Sequence, residues 1–83
     1  NTGVLVYPNP VKNGYFTVSH QQAFDGSDVD LKLFDLQGRM VIDKKIKNAP
    51  QVEVNLESNL SSGVYLLKLS DGNLSKTMKL IID

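Results

Sequence analysis

Hydrophobic and polar residues alternate along short runs of this chain, with the two-residue period of a strand that buries one face. In one such run, Val29, Leu31 and Leu33 are separated by Asp30 and Lys32. Glycine, proline, asparagine, aspartate and serine interrupt the runs and make up 30 of the 83 residues. The predicted strands are Val4–Tyr7, Tyr15–Ser19, Val29–Phe34, Arg39–Ile46, Val52–Leu56, Val64–Leu69 and Ser75–Ile82.

One face of each strand after the first is predicted to lie in a shared core. These faces are formed by Phe16 and Val18; Val29, Leu31 and Leu33; Met40, Ile42 and Ile46; Val52, Val54 and Leu56; Tyr65, Leu67 and Leu69; and Met78, Leu80 and Ile82. No segment shows the period of a helix longer than one turn. Because many short, evenly spaced strands are typical of a sandwich, we expect an all-β fold. The expected fold is a seven-stranded antiparallel Ig-like β-sandwich that forms a single domain over residues 1–83.

Two segments predict tight hairpin turns, Leu36-Gln37-Gly38 and Asp71-Gly72-Asn73. Gly38 is expected to take the positive φ that a three- to five-residue hairpin loop requires. Pro8 and Pro10 each bias the preceding residue toward an extended conformation. They therefore predict a stiff exit from the first strand.

Composition and charge exclude several classes of partner. Nine basic and nine acidic residues give a net charge of zero, and Arg39 is the only arginine. Nucleic-acid binding needs a basic stripe, so neither nucleic acid nor a polybasic membrane contact is expected. No apolar run approaches the roughly 18 residues of a transmembrane helix, so we expect no direct membrane insertion. The absence of cysteine excludes disulfides, thiolate zinc sites and cysteine nucleophiles.

Candidate catalytic and metal-binding residues are few. His20 is the only histidine, and without a G-x-S-x-G nucleophile turn it is interpreted as a solvated loop residue. Asp25, Asp28 and Asp30 are the best calcium candidates, because calcium prefers closely spaced carboxylates. They lack the order of an EF-hand loop and are interpreted as solvated acids, with calcium binding left open. We expect no catalytic residue, cofactor or metal.

The aromatic residues leave an alternative function open. Six residues could contribute to a sugar-stacking platform: Tyr7, Tyr15, Phe16, Phe24, Phe34 and Tyr65. Tryptophan is absent, and Phe16 and Tyr65 fit core positions. A carbohydrate-binding or adhesion module of a secreted enzyme therefore remains an alternative, as does an inert Ig-like spacer.

Four short motifs occur in a characteristic order along the chain. Val6-Tyr7-Pro8-Asn9-Pro10, followed by Gly14, opens it; the run ending in Gly38-Arg39 lies in the middle; Gly63-Val64-Tyr65 and Lys79-Leu80-Ile81-Ile82 follow. Together they resemble the type A C-terminal sorting domains of the type IX (Por) secretion system of Bacteroidetes. The resemblance runs from Val4 to Ile82.

This resemblance implies a non-catalytic sorting signal that directs a cargo protein across the outer membrane. The implied partners are an outer-membrane translocon, a surface sortase and a cargo domain N-terminal to this one. The cargo would pass through the periplasm and reach the outer-membrane surface or the medium. In the family the domain is commonly cleaved and replaced by a surface anchor. The start at Asn1 shows no signal peptide, so we expect a domain excised from a larger secreted protein.

The resemblance also assigns the recognition residues. They are expected to be Tyr7, Pro8, Asn9, Pro10, Gly14, Gly38, Arg39, Gly63, Tyr65, Lys79, Leu80, Ile81 and Ile82. One interpretation leaves the last strand open to strand addition by a partner near Ile81. The other makes it a central strand, buried on both sides. A strand-mediated dimer stays open, since which strands form edges is not evident.

Overall fold

The alternating runs form seven strands in a computed structural model that describes residues 4–20, 24, 26, 28–56 and 60–83. The strands are β1 (Val4–Tyr7), β2 (Tyr15–His20), β3 (Asp28–Phe34), β4 (Met40–Lys47), β5 (Gln51–Asn55), β6 (Gly63–Ser70) and β7 (Ser75–Ile82). Every predicted strand is present, and no end differs by more than one residue. The described residues contain no helix that is long and apolar enough to span a membrane.

The strands form two antiparallel sheets, one of order β1-β2-β5 and one of order β4-β3-β6-β7. The prediction of an all-β antiparallel sandwich is confirmed. In constant-type immunoglobulin domains the fourth strand joins the sheet of the first two. Here β4 pairs with β3, so the division is three strands against four.

The core lies between the inner faces of the two sheets. Leu31 and Leu33 of β3 and Leu67 and Leu69 of β6 are fully buried, as is Phe16 of β2. The predicted core faces of β2, β3 and β6 are therefore correct. Leu80 and Ile82 bring the last strand into the same core, together with Val11 from the segment between β1 and β2.

The predicted core face of β4 is wrong at its first residue. Leu33 pairs with Ile42, but Phe34 pairs with Met40, so Val41 is an extra residue in β4. The extra residue shifts the alternation of β4, so that Met40 and Ile42 point to opposite sides of the sheet. Met40 therefore lies on the outer side of the sheet and is 49% exposed.

The prediction of a solvated His20 is also wrong. β2 extends one residue beyond its predicted end, and the backbone N–H of His20 donates to the carbonyl of Pro50 over 3.0 Å. His20 thereby joins the inward face of Phe16 and Val18 and is 4% exposed. Its ring packs edge-on against Phe24, with 5.2 Å between centroids.

A pair of adjacent leucines tests the assignment of the core. We expect Leu67→Ala to lower the free energy of unfolding by about 2–5 kcal/mol, because it leaves a cavity in a closed site. Leu66→Ala, at a position that is 40% exposed, should cost less than about 1 kcal/mol. Urea unfolding followed by circular dichroism measures both, and equal losses would contradict the assigned faces.

Candidate functional site

Asn9 holds the segment after β1 against the last strand. Its side-chain Nδ2 donates to the carbonyl of Lys79 over 3.2 Å, and the N–H of Ile81 donates to its Oδ1 over 2.9 Å. The amide thus makes the two bonds that a neighbouring strand would make. The N–H of Val11 donates to the carbonyl of Ile81 over 2.7 Å, and the N–H of Asp83 donates to the carbonyl of Val11 over 2.8 Å. We call residues 9–11 the clip.

The clip determines what the last strand offers to a partner. β7 is an edge strand of the four-stranded sheet, not a central one. An open edge would present unpaired backbone groups to other chains. The clip bonds four of these groups: the carbonyl of Lys79, the N–H and the carbonyl of Ile81, and the N–H of Asp83. Strand addition near Ile81 is therefore blocked unless the clip moves.

The other opening-motif residues shape the chain around the clip. Pro8 and Pro10 flank Asn9 on the surface, and both of the peptide bonds that precede them are cis. Gly14 has a φ of 80°, and its carbonyl accepts a bond of 2.8 Å from the N–H of Leu56. This bond continues the pairing of β2 with β5 beyond its last register pair, Tyr15 with Asn55.

Gly38 and Arg39 belong to a hairpin turn organised by Asp35. One carboxylate oxygen of Asp35 accepts from the backbone N–H groups of Gln37 and Arg39, each over 2.9 Å. The other accepts from Nε of Arg39 over 2.8 Å. These contacts lower the pKa of Asp35 below its ordinary value of 3.8, and the hydrogen bond from the backbone N–H of Arg39 has the largest effect. Gly38 has a φ of 89° and so takes the predicted positive φ.

Gly63 and Tyr65 secure the entry into β6. Tyr65 is 7% exposed, and its hydroxyl donates to the carbonyl of Ser61 over 2.7 Å. Gly63 begins the strand with a φ of 153°. Tyr65 therefore lies in the core, and its hydroxyl fixes the preceding loop.

The terminal motif splits between core and surface. Leu80 and Ile82 point inward and are 0% and 7% exposed. Lys79 and Ile81 point outward on the four-stranded sheet, where Ile81 pairs with Val64 of β6. The exposed half of the motif thus carries one ammonium group and one aliphatic side chain.

Tyr7 lies on the other sheet. It occupies the outer side of β1, pairs with Thr17, and accepts a hydrogen bond of 3.1 Å from the side-chain amide of Gln51. The structure therefore does not bring Tyr7 together with Lys79 and Ile81. The motif residues form one continuous scaffold rather than one continuous surface.

The acidic candidates do not gather into a metal site in the part of the chain that is described. Asp25 lies outside the described residues. Asp30 accepts from the ammonium of Lys45 over 2.8 Å, and this bond lowers the pKa of Asp30. Asp28 pairs across the strands with Lys47.

A groove of about 590 Å³ opens between the edges of β4 and β5. Ile46, Val52 and Val54 supply its apolar lining, and Nζ of Lys44 donates across it to the carbonyl of Asn55 over 3.3 Å. Among the described residues that line it, Glu53 is the one carboxylate, and no histidine, serine or threonine is present. Among those residues the groove therefore presents no hydroxyl nucleophile paired with a histidine.

A family model described as "Secretion system C-terminal sorting domain" matches residues 5–83. The match covers all seven strands except the first residue of β1. No curated protein matches the chain.

Asn9→Ala tests the clip. We expect the amide hydrogen of Ile81 to exchange faster with solvent, because its acceptor is removed. The free energy of unfolding should fall by about 1–2 kcal/mol, the worth of two hydrogen bonds. Asn55→Ala, at an exposed strand end, is the matched control. Unchanged protection of Ile81 in Asn9→Ala would contradict the clip.

The Asp35 turn predicts a pH dependence. A carboxyl group whose pKa is lowered by folding stabilises the fold fully above its unfolded pKa, and loses that contribution as the pH falls through its folded pKa. Wild type should therefore exceed Asp35→Asn in unfolding free energy above pH 3.8. The difference should shrink below that pH. Urea unfolding across the range measures it, and a pH-independent difference would contradict this role of the carboxylate.

Proposed function

We propose that this chain, which belongs to the family of secretion system C-terminal sorting domains, carries its sorting signal on the surface of the folded sandwich. Lys79 and Ile81 point outward and form the signal, and the other motif residues hold the fold that positions them. The domain is a C-terminal sorting signal for type IX secretion. It directs secretion through the outer membrane to the surface or the extracellular space, and it interacts with the type IX machinery.

The observation that carries this proposal is the split of the terminal motif. Leu80 and Ile82 are committed to the core, so a partner cannot contact them without unfolding β7. Lys79 and Ile81, which alternate with these two residues in the terminal motif, face solvent. Asn9 fixes the backbone of both residues through the clip. Recognition therefore uses side chains held in a fixed geometry rather than a flexible tail.

Within the secretion route, residues 1–83 act as one domain attached to a cargo domain on its N-terminal side. The cargo reaches the periplasm, and the outer-membrane translocon recognises the folded sandwich. A surface sortase then removes the domain, and the cargo is anchored or released. Family membership supports this order of events.

The domain acts as a substrate of this machinery and not as a catalyst. Sorting domains of this family are in general not catalytic. The buried ring of His20 packs against Phe24 and lies outside the groove between β4 and β5. No observation favours the carbohydrate-binding or adhesion module, or the inert spacer.

A secretion assay tests this function. A fluorescent reporter with a periplasmic targeting signal is fused in front of residues 1–83 and expressed in a bacterium with a working type IX system. We expect reporter on the surface or in the medium with the domain, and in the periplasm without it. Periplasmic retention of the wild-type fusion, in cells that export their own type IX cargo, would overturn the sorting function.

The double variant Lys79→Ala/Ile81→Ala tests the assigned residues. We expect it to remain in the periplasm while keeping the melting temperature of the wild type within a few degrees, since Leu80 and Ile82 are intact. Lys47→Ala/Leu5→Ala removes an exposed lysine and an exposed leucine elsewhere and should be exported. Deleting the end of β7 is less informative, because it removes two core residues. Normal export of Lys79→Ala/Ile81→Ala would refute this assignment.

A further inference from the structure

An apolar patch crosses the outer face of the four-stranded sheet. Met40, Phe34 and Leu66 are paired in one row across β4, β3 and β6, and Val64 and Ile81 pair in the next row across β6 and β7. Cross-strand partners on one face lie about 5 Å apart, so these five side chains adjoin one another. All but the partly buried Phe34 are at least 36% exposed. We call these residues the outer patch.

Lysines border the outer patch on its β6–β7 side. Lys79 pairs with Leu66, and Lys68 lies one outward position further along β6. Lys68 pairs directly with Lys32 of β3. Two like charges at directly opposite positions are unfavourable in a sheet. Lys32 has Asp43 as its neighbour on β4, whereas Lys68 faces Thr77 on β7.

Carboxylates are unevenly distributed over this face. The sequences of β6 and β7 contain no aspartate or glutamate. Asp28, Asp30 and Asp43 all lie on β3 and β4, and Asp30 is already paired with Lys45. The charged residues on the outer side of β6 and β7 are thus lysines, and Asp83, the carboxylate that follows β7, is paired with Lys12.

We propose that the outer patch and its lysine border form a docking surface for an acidic, apolar protein surface in the secretion machinery. An exposed apolar patch with a polar border is typical of protein interaction sites. A partner carboxylate near Lys68 would offset the repulsion between Lys32 and Lys68. The proposal rests on the sorting function and extends it from β7 to three further strands.

The same observations weigh against two other occupants. An anionic membrane surface attracts a strong net positive charge or an inserted amphipathic helix, and this patch lies flat on a sheet in a neutral chain. A second copy of this domain supplies few carboxylates for Lys68, because Asp30 is paired with Lys45, and Asp28 and Asp43 lie opposite lysines of their own sheet. A protein surface with carboxylates around an apolar centre would pack against the apolar side chains and pair with the lysines.

Substitutions away from β7 test this surface. In the secretion assay we expect Leu66→Ser and Lys68→Glu each to reduce export by about tenfold, as for the loss of one strong interface contact. Leu5→Ser, on the outer side of the other sheet, and Lys47→Glu, at the far end of β4, are the matched controls and should be exported normally. Thermal unfolding of each purified domain verifies that it is folded. If Leu66→Ser is unfolded, Leu66→Thr replaces it with a good strand former.

A crosslinking experiment tests the chemistry of the partner. A photo-crosslinking amino acid at position 66 should give an adduct with a protein of the secretion machinery, and at position 5 it should not. Lys68→Glu should reduce the adduct, and replacing the partner's crosslinked carboxylate by lysine should restore it in Lys68→Glu. Restoration supports the proposal, and an adduct that is insensitive to both charge changes overturns it.

The remaining outcomes separate this proposal from the sorting function. Export of the wild type together with normal export of Leu66→Ser and Lys68→Glu overturns the docking surface alone. Retention of the wild type overturns the sorting function itself. Co-sedimentation with phosphatidylglycerol vesicles that Lys68→Glu abolishes would instead assign the patch to a membrane. A dimer that Leu66→Ser dissociates, seen by light scattering, would assign it to a second copy.

Discussion

The two-residue period of the β-strand is the constraint on which the other features of this domain depend. In a small sandwich every strand must give one face to the core, because no disulfide can replace the burial. The last strand is no exception, since Leu80 and Ile82 are among the core residues. A sorting signal that consists of residues of this strand is therefore accessible to a partner only at alternate positions. The motif is continuous in sequence, but half of it stabilises the fold and half faces solvent.

Most motif residues do not lie on one surface, because they hold backbone groups at separate places in the fold. Tyr65 fixes a loop through the carbonyl of Ser61, and Arg39 completes the turn around Asp35. Asn9 bonds backbone groups that are 70 and 72 residues away in sequence. Each of these residues acts on the backbone of its neighbours. These contacts account for the place of the three residues in the motifs. We propose that recognition relies instead on outward side chains such as Lys79 and Ile81.

Much of this architecture follows from local pattern. All seven strands could be predicted because alternation and turn residues are local signals, and Gly38 could be placed because its turn has few solutions. Met40 was predicted on the wrong face because a bulge depends on the register with β3, which no local pattern specifies. His20 was misplaced because β2 continues through a bond to Pro50, which precedes the distant strand β5. The clip and the outer patch both require strand order, and neither could be predicted from the chain alone.

The direction of the clip has a mechanical consequence. The clip meets β7 in parallel, as the bridge between Val11 and Ile82 shows. A pull between the N-terminal side of the clip and the C-terminal end of β7 is therefore directed along both segments in opposite senses. Such a load shears the four hydrogen bonds between them together, whereas an antiparallel contact pulled at one end would open bond by bond. Tension that reaches the clip from the residues before it is thus resisted at the contact between the clip and β7.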